Sequence, residues 1–277
     1  VKDRIEQLKK DRAYPLTEAG RDQIMADVRA MVADSIKRSA DLFDHRPKAP
    51  VIAQPYPRFR EANAAASYTS PSPDGARPGT FQIPLRPERM TKFGLRTLIN
   101  HETVPGHHFQ IALEMEDKDL PRFRQLRAFG GISALSEGWG LYAERLAADE
   151  GWYQGDQEGL LGQLDAELFR ARRLVVDTGI HAKRWSREKA TDYMVEKTGF
   201  ARPRCQREVE RYCTQPGQAT SYKVGHGVWT KARAAAQAEL GDAFDIKQFH
   251  AILEEGAMPL SMLEQRVAAR AKAAKGA

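Results

Sequence analysis

His101-Glu102-Thr103-Val104-Pro105-Gly106-His107-His108 brings three imidazoles and a carboxylate into eight consecutive residues. The surrounding apolar spacing predicts a helix over about 90–113. In an HExxH zinc helix, two histidines four residues apart project from one face and close on one cation, while the adjacent glutamate reaches the metal-bound water. Here the spacing is different. At about 100° and 1.5 Å per residue, an unbroken helix sends His107 to the far side of His101 and carries His108 roughly 10 Å along the axis. Neither pair could then share one zinc, whose bonds to nitrogen are about 2.0–2.1 Å.

Pro105 and Gly106 offer a resolution. Proline lacks the N–H that would bond the carbonyl of His101, and glycine accepts backbone angles closed to other residues. A bulge that loops out two residues would return His107 to the one-turn relation with His101, and His108 is the rival partner. The plain alternative is a proline-kinked helix carrying surface histidines.

A second block, Leu135-Ser136-Glu137-Gly138-Trp139-Gly140-Leu141-Tyr142-Ala143-Glu144, predicts another helix from near Ser133. Zinc hydrolases combine three protein ligands with one open position, and a carboxylate from a later helix commonly joins two histidines. Glu137 is the candidate, because a carboxylate among Leu135, Trp139 and Leu141 needs a partner. Glu144, seven residues on, shares its face and is placed to orient a ligand histidine.

HETVPGHHFQ, SEGWGLYAERLA, RARRLVVDTGIHAKRW, EVERYCTQPGQATSYKVG and FHAILEEGAMPLSMLE together resemble the carboxy-terminal half of the bacterial DUF885 proteins, which are related to the gluzincin zinc metallopeptidases. The similarity runs over about 50–267, with five blocks in the family's order. It implies a mainly α, gluzincin-like peptidase fold with Zn²⁺ at the HExxPGHH helix and a downstream glutamate completing the site. It also favours an exported, periplasmic protein, although no export signal is legible in the chain. Because members of that family are longer and Val1-Lys2-Asp3 is not a natural start, the expectation is a fragment whose partner is the amino-terminal half of a full-length protein.

Composition agrees with a globular unit: 277 residues at 42% hydrophobic content suffice for a substantial core. The net charge of +6 is spread among interspersed acids, with no basic block joined to stacking aromatics, which argues against nucleic acid as a partner. No apolar run reaches the roughly 18 residues of a membrane span. Cys205 and Cys213 lie too far apart on one predicted helix for an unstrained disulfide.

Residues 1–45 read as an amino-terminal helical scaffold, with Ile24, Val28, Met31, Val32, Ile36 and Leu42 as its apolar stripe and Thr17-Glu18 as a start. Residues 46–277 read as the catalytic part. It begins with a small β element at about 50–85, read as one hairpin or two from short runs such as Val51-Ile52-Ala53 and Thr80-Phe81-Gln82-Ile83 interrupted by Asp74-Gly75, on whose edge an extended substrate could be added as a strand. Helices are then predicted at 160–178, 187–198, 204–213, 218–240 and 245–255.

In 170–181, Arg173, Asp177 and His181 align opposite a seam of Leu164, Leu168, Ala171 and Val175. This predicts a solvated ion-pair ladder, although the resemblance makes Asp177 or His181 a candidate to orient a ligand or hold a substrate terminus. Tyr222, with His226 one turn on, is the candidate oxyanion donor that related zinc peptidases take from a late helix. The resulting expectation is zinc-assisted hydrolysis of a peptide bond, with His101, His107 and Glu137 as ligands and Glu102 as general base. A small-amide hydrolase and a non-catalytic scaffold are the alternatives.

Overall fold

The computed structural model describes residues 2–125 and 131–276. The first long helix starts where the sequence places it: Thr17 is extended, and its hydroxyl accepts the amide hydrogen of Gly20. In chain order the α-helices are Lys2–Asp11 (α1), Glu18–Arg38 (α2), Arg58–Glu61 (α3), Leu95–Glu102 (α4), His107–Glu116 (α5), Arg122–Gln125 (α6), Ser133–Asp149 (α7), Gln157–Lys183 (α8), Arg187–Thr198 (α9), Arg202–Thr214 (α10), Gln218–Leu240 (α11), Ile246–His250 (α12) and Leu260–Lys275 (α13). The fold is therefore mainly α with a small sheet, as the periodicity predicts and the resemblance implies. The predicted 187–198 and 218–240 coincide with α9 and α11. Cys205 and Cys213 are both free.

The β element is a three-stranded sheet in which Gly79–Ile83 (β3) lies between Val51–Pro55 (β1) and Ser67–Thr69 (β2). β2, a strand the sequence reading did not single out, pairs antiparallel with β3, with Tyr68 opposite Phe81. β1 runs parallel to β3, with Val51 opposite Gly79, which local turn signals do not foretell. Burial follows position in the sheet. Phe81 and Ile83 of the central strand are buried against Ile24, Val28 and Ile99, so α2, the sheet and α4 share one apolar cluster.

A second cluster surrounds Trp139 and Trp229, where α7 packs along α11 more extensively than any other pair of helices. Glycines permit this approach. A Cβ on Gly225 would lie 1.8 Å from the Ala134 carbonyl oxygen, and one on Gly138 would lie 2.5 Å from the Gly225 backbone. The two backbones meet with no side chain between them.

Arg21 anchors the sheet region through a two-pronged pair with Glu61 (2.8 and 2.9 Å) and a bond to the Leu85 carbonyl; Glu61 also accepts the Leu85 amide at 3.2 Å. Burial disfavours the Glu61 carboxylate, but these bonds outweigh that and hold its pKa below the ordinary carboxylate value. A lowered folded pKa means that the pair's stabilisation is complete above the unfolded value and is lost as pH falls through the folded one. Arg21→Met, which leaves a buried carboxylate, should cost about 3 kcal/mol at pH 7. In urea titrations that deficit should shrink on acidification below about pH 4.5; a deficit independent of pH would show that the charge pair is not its source.

The helical stretch expected from about 90 begins at Leu95 and is interrupted at Thr103–Gly106, where the proline-glycine bulge is read, and the amino-terminal helical scaffold read over 1–45 divides at residues 12–17. The expected solvated ladder on α8 faces the other way. Arg173 and Asp177 are 7% and 2% exposed, whereas Leu164, Leu168 and Val175 are 41–47% exposed. Arg173 lies inward because its guanidinium finds Glu208, the Tyr212 hydroxyl and the faces of Phe169 and Tyr222 there.

Candidate metal centre

α4 ends at Glu102, and Thr103, the cis Val104–Pro105 bond and Gly106 turn the chain before α5 begins at His107. Gly106 is required by space: a Cβ there would lie 1.9 Å from the His101 carbonyl oxygen and 2.4 Å from that of Asn100. Trp139 secures the bend from α7, its indole N–H donating to the carbonyls of Pro105 (2.8 Å) and Gly106 (3.1 Å). The Pro105 oxygen is thereby satisfied inside the core, while that of Gly106 also accepts the Gln110 amide of α5 at 3.2 Å.

The bend brings the rings of His101 and His107 to 4.7 Å, nearly perpendicular at 82°. Glu137 reaches both, its Oε2 lying 3.1 Å from His101 Nε2 and 3.5 Å from His107 Nε2. The three donor atoms lie within 4.8 Å of one another. Metal–donor bonds of about 2.0–2.2 Å in a tetrahedron put donors roughly 3.3–3.6 Å apart, so the trio suits one small divalent cation.

Around the trio, His101 Nδ1–H donates to Glu144 at 2.8 Å, leaving Nε2 toward Glu137. Glu144 is itself held by the Thr97 hydroxyl at 2.7 Å and by Arg170 at 3.5 Å. Burial opposes a charge on His101, but the two glutamates outweigh it and push its pKa up to about 10. Burial likewise disfavours the Glu137 carboxylate, yet its bonds to His101 and His107 hold it well below the ordinary range. The centre is thus built to hold positive charge. Glu102, beside it, has its pKa raised by burial, with His101 and His107 opposing and Glu137 reinforcing the rise.

His108 does not join this group. Burial drives its pKa down to about 4, so the ring is neutral near pH 7. Its Nε2–H donates to the Ala49 carbonyl at 3.1 Å, and Nδ1 accepts the Tyr68 hydroxyl at 2.9 Å, leaving no lone pair for a metal. His108 instead ties α5 to the sheet.

Tyr222 stacks on His101, with centroids 6.1 Å apart and planes inclined 18°. Burial first, then the charge of Glu137, raises its pKa. His226 faces Lys223 at 3.1 Å, and burial together with that lysine lowers its pKa to about 4. His181 lies 3.3 Å from Asp177 and donates to the Tyr212 carbonyl at 3.0 Å, so both stand outside the trio.

Sequence reasoning missed Thr97 and Arg170, which orient Glu144 across α4 and α8. No short motif signals them. It also missed Gly140, where a Cβ would lie 2.5–2.8 Å from three atoms of the His101 ring. Glu144→Gln keeps the shape and removes the charge, and should weaken metal binding about 10–100-fold by competitive chelator titration; unchanged affinity would mean that Glu144 does not tune His101.

A family profile described as "Bacterial protein of unknown function (DUF885)" matches residues 1–267. The chain belongs to this family. The match includes α1 and α2, so it begins upstream of the motif blocks. Among curated proteins, none matches. Over 98% of its length, the DUF885 chain is similar to a crystal structure described as a "putative lipoprotein" from Colwellia psychrerythraea, with 40% identity and a TM-score of 0.93. A "putative lipoprotein of unknown function" from Shewanella oneidensis aligns over 90% of the chain with a TM-score of 0.77 at 24% identity, a likeness of fold. The chain spans about half the length of these solved relatives, 47% and 46%. No helix among the described residues is long and apolar enough to cross a membrane.

Proposed function

We propose that this DUF885 chain is a zinc-dependent hydrolase of peptide bonds. The observation that carries the reading is the convergence of His101, His107 and Glu137, from three helices, into a donor set sized for one divalent cation. Two imidazoles and one carboxylate form a common donor set of hydrolytic zinc, which leaves one position open. Zn²⁺ held there would lower the pKa of a water toward about 7 and polarise a carbonyl.

The chain's own residues supply the remaining functions. Glu102, next to a ligand and largely buried, takes the proton from the attacking water and delivers it to the departing amine. Tyr222, stacked on His101, supplies a phenol hydrogen to the oxygen that gains charge. Glu144 fixes the His101 tautomer. β1 and β2, the outer strands of the sheet, offer edges to an extended substrate, which favours peptides over small amides. The lipoprotein descriptions of the two solved relatives favour an exported protein.

Anomalous diffraction at the zinc edge from zinc-loaded crystals should place one ion between His101, His107 and Glu137 with a position open to solvent. A peptide library should be cleaved by the loaded protein and left intact after chelation. An ion elsewhere, or cleavage that survives chelation, removes the reading.

A further inference from the structure

A cleft of about 770 Å³ shares a wall with the metal centre, since Thr97 and Arg170, which line it, both contact Glu144. Its size is that of a small-ligand site. Part of its wall is apolar and aromatic, with Phe93, Leu98 and Ile83, and Ala65 and Ala66 lead from it into β2. The lining is charged as well, with acids such as Glu6 and Asp165 beside a larger number of basic groups.

There the Arg173 and Arg204 guanidinium groups lie over the same ring, Phe169, at 4.5 and 5.4 Å. Arg204, exposed, is also seated 3.7 Å over Phe200 and has no ion pair among the described residues. Arg173 is 7% exposed and bonds Tyr212 and Glu208, yet its Nη1 has no hydrogen-bond partner. Nor is the buried Nε of Arg170 satisfied. The nearby Glu208 is already committed, receiving bonds from Arg173, Arg211 and Tyr212 at 2.9–3.2 Å. Like charges gathered beside unsatisfied buried donors are costly, and a guanidinium fork is shaped for a carboxylate.

We propose that this cleft binds the free terminal carboxylate of a peptide, held by Arg173 and Arg204 with Arg170 beside them. The assignment rests on the hydrolase reading and narrows it: the enzyme works from the carboxyl end. Arg173 lies 4.8 Å from the Tyr222 ring, and that ring lies 6.1 Å from His101. At about 3.3 Å per extended residue, a carboxylate anchored at Arg173 lies within roughly three residues of the metal ligands. Cleavage would release a short carboxyl-terminal unit, with water giving its hydroxyl to the acyl carbon and a proton to the amine. The apolar walls favour an apolar terminal side chain.

Calorimetric titration of the chain, with and without Zn²⁺, using alanyl-alanyl-phenylalanine and its terminal carboxamide tests this directly. The free acid should bind at least about tenfold more tightly than the amide in both preparations. Arg173→Gln should erase that preference. Arg204→Gln, at an exposed position that spares folding, should reduce it severalfold. Equal binding of acid and amide, an undiminished preference in Arg204→Gln, or tighter binding of inorganic phosphate than of the tripeptide would overturn the assignment. Equal hydrolysis of acid and amide would overturn it and leave the hydrolase intact. Carboxylate-selective binding without hydrolysis would do the reverse.

Discussion

Glu102→Gln is expected to reduce peptide hydrolysis by about 10²–10⁴-fold while leaving the metal in place. The amide has nearly the shape of the carboxylate but cannot accept a proton from water, and Glu102 is not a member of the ligand trio. Turnover and zinc content measured on one preparation separate the two functions: loss of both would indicate a collapsed site, and full activity would show that another group is the base. His101→Ala should behave differently. It removes a donor together with the contact that holds Glu137 and Glu144 apart, so binding and turnover should be lost together.

Gly140→Ala should impair the centre without touching any donor atom. Its methyl group would enter the space of the His101 ring, at 2.5–2.8 Å, and the ring can move aside only by giving up its bonds to Glu137 and Glu144. Overpacking of this kind costs about 1–3 kcal/mol. Most of that should be relieved by displacing His101, so chelator titration should show zinc affinity lowered by about 10–100-fold or more. Gly227→Ala is the matched control. It lies on α11 with nothing near its Cβ position and should bind metal normally, gaining about 0.5–1 kcal/mol from helix propensity. If the two variants bind zinc alike, His101 is not fixed as described.

The centre's candidate donors were legible because chemistry and sequence coincide there. Three histidines beside a proline and a glycine announce both candidate ligands and a bend, and Glu137 stands among Leu135, Trp139 and Leu141. The choice between His107 and His108 was not legible. It depends on Ala49 and Tyr68, forty or more residues away, which occupy both nitrogens of His108. The inverted face of α8 has the same origin. Periodicity shows that Arg173, Asp177 and His181 share a side, but which side is buried depends on what α10 and α11 present. Glu208, Tyr212 and Tyr222 make the charged side the inner one. The parallel pairing of β1 with β3 escaped because turn chemistry reports only on strands joined by that turn.

The bare backbone seam between Gly138 and Gly225 has a further consequence. Gly138 follows Glu137 directly, and Gly225 lies three residues beyond Tyr222, so the separation between carboxylate and phenol is gauged by two missing methyl groups. Thickening that joint by one carbon would widen the jaws of the centre before it unfolded anything, and the injury would register as sluggish chemistry in a protein of nearly normal shape.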